Sequence, residues 1–169
     1  MHLLDANVFI EAQRHYYAMD LARGFWDWLE AEVSLPDVRS IRPVFDEMKD
    51  YGDLLSGWIR SIGHQLFLDL EADMLIHLPE IGEWVEGHPA KRAKKNLFLA
   101  GADPFLISAC WARGWTLVTQ ETSAGNKGDL KIPDACRAFG VSYTNTFELM
   151  RARSVRLVLP TDGLPTGKT

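Results

Sequence analysis

Met1-His2-Leu3-Leu4-Asp5-Ala6-Asn7-Val8-Phe9-Ile10 decides how the rest of the chain is read. A few apolar residues run straight into an aspartate, and a helix-compatible stretch follows at once. In an α/β protein that puts Asp5 at the carboxyl end of the first strand, where a parallel sheet opens onto its ligand crevice. Asp is also a good helix N-cap, and taken alone Asp5 reads as that cap. Its larger meaning depends on where the other carboxylates fall.

Beyond the opening, strand and helix patterns alternate. Leu21 to Val33, containing Phe25-Trp26-Asp27-Trp28-Leu29, has apolar residues at helical spacing. Trp26 and Trp28 are two apart and cannot share a helix face, which marks one of them for a dimer or partner contact. Val38 to Ile41 is a short strand, and Pro43 opens a helix to about Asp50. On that helix Glu47 borders the stripe formed by Val44, Phe45 and Met48, and Asp46 faces water. Helices are expected over Asp53 to Ile62 and Asp73 to Glu86, with Gln65 to Leu70 open between strand and helix. Gly101-Ala102-Asp103-Pro104 starts another helix, and Trp115 to Thr119 is the clearest strand. Gln120-Glu121 and a polar loop from Thr122 to Leu130 follow. Pro133-Asp134 then opens a helix that Gly140 stops, before a strand at Val141 to Tyr143 and a last helix from Phe147.

Such alternation implies a parallel sheet with right-handed crossovers. Strand carboxyl ends and helix amino ends then share one edge. Asp5 and Glu121 lie just past strands, Asp103 and Asp134 at helix starts, and Glu47 one to two turns into a helix that begins there. Each acid has an ordinary explanation: Asp103 as an N-cap, Asp134 as a partner of a helix dipole, Glu47 as a surface residue. Five at one rim are harder to explain that way.

With 169 residues, 47% hydrophobic, the chain is long enough for one domain with a real core. No apolar run approaches membrane-span length and no leader pattern is visible, so a cytoplasmic protein is expected. Cys110 and Cys136 form no CxxC and read as buried thiols. A net charge of -5 argues against a whole-surface nucleic-acid clamp while allowing an acidic pocket with basic patches. Walker, GxGxxG and G-x-S-x-G patterns are absent.

Clustered carboxylates repel and raise one another's pKa, a conflict that a divalent cation resolves. Hard oxygens without thiolate or imidazole select Mg²⁺ or Mn²⁺. The five histidines, His2, His15, His64, His77 and His88, lack ligand-like spacing. Such a pocket suits attack of water on a phosphodiester, with one ion or two. Cations must offset the acidic pocket at its rim, and Arg14, Lys91, Arg92, Lys94, Lys95, Lys127 and Lys131 are the candidates for phosphate contacts. Lys91 to Lys95 reads more readily as a solvated helix face, and Tyr16 and Tyr17 as packing rather than base stacking. A haloacid-dehalogenase-type phosphatase also begins with a strand-end aspartate, but it needs a second acid where Asn7 stands.

These residues resemble a PIN domain, the fold of VapC-type toxin endoribonucleases, and Phe25-Trp26-Asp27-Trp28-Leu29 with Lys131-Ile132-Pro133-Asp134 further resemble an uncharacterised bacterial PIN-like subfamily. Leu3-Leu4-Asp5-Ala6-Asn7, Glu47, Ala102-Asp103 and Leu117-Val118-Thr119-Gln120-Glu121 carry the likeness, over about the first 145 residues. It implies a three-layer α/β/α domain over 1–153, with a short, mainly parallel central sheet flanked by helices, and a tail over 154–169. It implies Asp5, Glu47 and Asp103 as the core ligands of Mg²⁺ or Mn²⁺, with Glu121 in the fourth acidic place. In the implied mechanism Asp5, Asp103 and Glu121 hold the ion, Glu47 orients or deprotonates the attacking water, and Asn7 and Thr119 are supporting oxygens. The fourth acidic place more often holds Asp, so Asp129 or Asp134 stands as an alternative to Glu121. The implied activity is hydrolysis of single-stranded RNA by the toxin of a toxin–antitoxin pair, with an antitoxin partner and a homodimer, and Arg14, Lys127 and Lys131 near the RNA. The alternative is a silent PIN-like module that binds RNA or protein without cutting.

Overall fold

Leu3, Leu4, Val38, Ile41, Leu117 and Val118 are all essentially inaccessible to solvent, as expected for strands covered on both faces. In the computed structural model, which describes residues 1–50, 52–125 and 128–158, they form the centre of a five-stranded sheet. The strands are β1 (His2–Leu4), β2 (Val38–Ile41), β3 (Phe67–Leu68), β4 (Thr116–Val118) and β5 (Tyr143–Thr144). Their order is β3-β2-β1-β4-β5, and every pair is parallel, so the sheet is wholly rather than mainly parallel. Strand order reverses between β1 and β4, which makes that crevice the topological switch point where α/β sheets take their ligands.

The helices are α1 (Ala6–Glu11), α2 (Arg23–Val33), α3 (Arg42–Met48), α4 (Leu54–Ile62), α5 (Leu78–Gly87), α6 (Arg92–Ala100), α7 (Asp103–Arg113), α8 (Ile132–Phe139) and α9 (Thr146–Ala152). α3 contacts both α1 and α4; α7 packs with α5, α6 and α8. Proline sits in the first turn of α3, α5, α7 and α8, where its missing N–H costs nothing. Asp53 and Ser56 form a reciprocal capping box on α4. Gly140 ends α8 with φ 68°, a conformation open to glycine.

The expected helix over Asp73 to Glu86 is broken. A 3₁₀ turn, Ala72–Leu75, precedes α5, because Pro79 favours a fresh helix start. The run from Gln65 yields a strand of only two residues after a 3₁₀ turn at Gly63–Gln65. The last strand begins at Tyr143 rather than Val141. α1 passes into a π-helical turn, Ala12–Tyr16, which carries Arg14.

Both tryptophans of α2 pack against the chain's own core, Trp26 within it and Trp28 partly open at its edge. Trp26 is fully buried and donates to the Tyr17 carbonyl at 2.6 Å; Trp28 packs beside the core and donates to Glu32 at 3.2 Å. Tyr17 stacks on Phe25 at 4.4 Å, while Tyr16 is half-exposed. No helix among the described residues is long and apolar enough to cross a membrane. Lys127 and residues 159–169 of the expected tail lie outside the described residues.

Candidate metal centre at the sheet switch point

Backbone pairing runs one residue beyond each central strand. The Asp5 N–H donates to the Val118 carbonyl and the Thr119 N–H to the Thr144 carbonyl, each at 3.0 Å. The ladder thus fixes Asp5 and Thr119 side by side at the carboxyl edge of the sheet. The Ser40 hydroxyl, buried at the end of β2, secures the Leu4 carbonyl at 2.7 Å.

Asp5 occupies the N-cap position of α1, yet its side chain makes no capping hydrogen bond. Its Oδ2 instead accepts the Thr119 hydroxyl proton at 2.8 Å, and Thr119 Oγ1 accepts the Glu121 N–H at 3.1 Å. Burial pushes the Asp5 carboxyl up to about 6. The Thr119 hydrogen bond opposes that rise and the Glu121 charge adds to it.

Asp103 is not a cap either. Ala102 holds the N-cap position of α7, and Asp103 is the first helical residue. Among the described residues, nothing donates a hydrogen bond to its carboxylate, and no cation lies within ion-pair distance. Burial, then the charges of Asp5, Glu121 and Glu47, push its pKa up to about 8, with Lys131 pulling the other way. Asp103 therefore senses the charges of Asp5, Glu121 and Glu47, and Asp5 that of Glu121.

Glu47 is itself exposed rather than set against the core, and it turns its Oε1 back to accept the Ala102 N–H at 2.7 Å. Gly101 makes room for this, since a Cβ there would stand 3.2 Å from that oxygen. The Glu121 carboxylate is fully engaged: Lys131 Nζ donates to Oε1 at 2.7 Å and the Ile132 N–H to Oε2 at 2.9 Å. Asp134 is turned to the neighbouring loop, taking the Ser123 hydroxyl at 2.6 Å, the Ala124 N–H at 2.9 Å and the Arg137 guanidinium. Asp129 pairs with Lys94. Asn7, Glu11, Gln120, Glu121, Thr122 and Lys131 line a cleft of about 350 Å³ beside these acids.

The basic run on α6 is not simply solvated. Lys95 is buried with its ammonium on the Glu86 carbonyl, and Arg92 grips the Glu86 carboxylate through two contacts of 2.7 Å. Lys91 and Arg14 are exposed and pair with no acid among the described residues.

A buried and a partly buried carboxylate that repel each other, the second without a donor, fit a hard divalent cation. Mg²⁺ commonly takes one or two carboxylates and completes its shell with water and phosphate. Among the described residues, no three His, Cys, Asp or Glu side chains are drawn together as a ligand set. The cause is visible in the partners just named, which hold Glu121 and one oxygen of Glu47.

Ser40, Gly101 and the Ala102 N–H were not singled out from sequence. Only Gly101, directly before Ala102-Asp103, gave a signal. Thr119→Val is expected to remove the donor to Asp5 and raise that carboxyl above about 6. Carboxyl-carbon NMR titration would show the shift, and an unmoved Asp5 resonance would exclude the assigned hydrogen bond.

A chain in the crystal structure of VapBC2 from Rickettsia felis bound to a DNA fragment from their promoter has a similar fold. The TM-score is 0.54 at 14% identity, covering 85% of this chain and 97% of that one. The all-parallel, helix-flanked sheet is thus a PIN-like fold. No curated protein matches the sequence. The sequence profile of a family described as a domain of unknown function, DUF4411, matches residues 2–157. The chain belongs to the DUF4411 family.

Proposed function

We propose that this protein is a metal-dependent endoribonuclease that hydrolyses phosphodiester bonds in single-stranded RNA and acts as the toxin of a toxin–antitoxin pair. The observation that carries the proposal is the pair at the switch point, Asp5 buried and Asp103 partly buried. Neither side chain serves as a cap and both are pushed above the usual carboxylate range. Keeping such groups together opposes stability, which points to selection for a ligand rather than for folding. The PIN-like fold and its likeness to a chain of VapBC2 support the toxin role and an antitoxin partner.

In this reading Asp5 and Asp103 hold Mg²⁺ or Mn²⁺. When bound, the ion supplies Lewis acidity toward a phosphate oxygen and lowers the pKa of water. Thr119 orients Asp5. Glu47, anchored through Oε1, accepts the proton of the attacking water at Oε2. Asn7 and Gln120 offer polar contacts in the cleft, and Arg14 and Lys131 offset phosphate charge.

The test is incubation with unstructured RNA and Mg²⁺ or Mn²⁺, read for discrete products. Cleavage that stops with chelator and resumes on adding the ion is expected. The engagement of Glu121 by Lys131 favours one second reading, a silent module that binds RNA or a protein without cutting. RNA retention in chelator with no product after long incubation would select it.

A further inference from the structure

Lys131 occupies an unusual place. It is the N-cap residue of α8, in extended backbone at φ −133°, and its side chain makes no capping hydrogen bond. The ammonium meets Glu121 Oε1 at 2.7 Å while the next residue's N–H holds Oε2 at 2.9 Å. Both oxygens of the fourth acidic position therefore already have a donor, one of them a cation. The same ammonium reaches Asp103 and Asp129 with its charge, and it lines the cleft with Glu121. The pair is only partly open to water, with side-chain exposures of 36% for Lys131 and 15% for Glu121. In such a setting a fixed charge-assisted contact holds better than at an open surface.

We propose that Lys131 is a built-in counter-ion that stands in the place a second metal ion would take, so that this centre binds one divalent cation per chain. This rests on the metal-centre reading above and concerns how many ions that centre accepts. In a two-ion phosphodiesterase the second cation balances acidic ligands and stabilises the leaving oxygen. A lysine ammonium can supply the positive charge but cannot exchange with solvent or be removed by chelator. It also occupies Glu121 Oε1, an oxygen that a second cation would otherwise take, and among the described residues no three acids are gathered as ligands. Because Glu121 N–H is tied to Thr119 Oγ1, and Thr119 to Asp5, fixing Glu121 also steadies the Asp5 donor.

The experiment counts Mn²⁺ per chain by calorimetric titration and by electron paramagnetic resonance, without substrate. Wild-type protein is expected to bind one ion. Lys131→Met, which keeps the aliphatic length and removes the charge, frees Glu121 and is expected to bind two. Lys131→Arg keeps a cation and is expected to bind one, and circular dichroism confirms that each variant is folded. Two ions on the wild type, or one ion on folded Lys131→Met, would overturn the counter-ion role and leave the metal centre standing. A wild type that binds no Mn²⁺ would remove the metal centre itself, and the counter-ion role with it.

Discussion

Asp103→Asn is expected to lower RNA cleavage on the order of 10³-fold, as loss of a group acting on transition-state charge does, while making the metal-free protein more stable. The two effects share one cause. The wild-type carboxyl has a pKa of about 8 in the folded chain against an ordinary 3.8. At pH 7 the unfolded chain has released that proton and the folded chain still holds it. The gap of about three units from 3.8 to 7 corresponds to roughly 4 kcal/mol as a ceiling. Relaxation of the site and water entry reduce the realised gain to about 2 kcal/mol. Asparagine is near-isosteric, carries no charge, and adds an amide that can donate toward Asp5. For a chain of this length each kcal/mol is worth about 2–4 °C in Tm, so a rise of about 4–8 °C should appear in a thermal melt with chelator present. Asp5→Asn should act in the same direction with a smaller gain, because its pKa is raised only to about 6. A variant that cuts RNA at the wild-type rate would overturn the role given to Asp103 in metal binding and cleavage. One that is inactive and also less stable would show that Asp103 serves the fold.

How much of this was legible in the sequence depended on how local each cause is. The apolar run that stops at Asp5, the proline-led helix starts and the glycine stop at Gly140 are local, and the elements formed where those patterns placed them. The switch point then followed from alternation and handedness, because strand ends and helix starts must share an edge. What stayed hidden was which partner each acid would choose. Asp103 and Asp134 are both acids beside a proline at a helix start, and in sequence they look alike. Asp134 has Ser123, Ala124 and Arg137 within reach, whereas Asp103 has no donor among the described residues. Glu121 and Lys131 lie ten residues apart across a loop whose path no periodicity predicts. The packing of Trp26 and Trp28 was hidden for a related reason. A helix bounded on several sides packs more than one face, so Trp26 lies within the core while Trp28, on a different face of α2, packs partly buried beside it.

Stability of the metal-free protein is expected to fall as pH rises from about 6.5 to 8, and Mg²⁺ should restore it most at the upper end. Both acids have folded-state pKa values above their ordinary 3.8, about 6 for Asp5 and about 8 for Asp103. Between 3.8 and those values the folded chain binds more protons than the unfolded one, so stability must decline with rising pH across that interval. His2 works in the opposite sense. Its burial lowers its pKa from 6.5, so the folded chain gains relative stability as pH rises toward 6.5. Above 6.5 that contribution is complete, and the remaining slope belongs to Asp103, roughly 1.4 kcal/mol per pH unit at most until its own titration ends. A divalent cation binds the ionised carboxylates and must displace their protons, so its affinity rises over the same interval. Saturating it at about 100 times its Kd adds roughly 2.7 kcal/mol. Thermal melts at pH 5.5, 6.5, 7.25 and 8, with chelator or with Mg²⁺, separate these contributions. The expected pattern is a falling Tm in chelator from 6.5 upward, a Mg²⁺ shift that is small at 5.5 and large at 8, and little slope in Asp103→Asn. A Tm that holds level or rises from 6.5 to 8 in chelator would show that Asp103 is ionised and paired in the folded chain, and a Mg²⁺ shift equal at 5.5 and 8 would place the ion away from these acids.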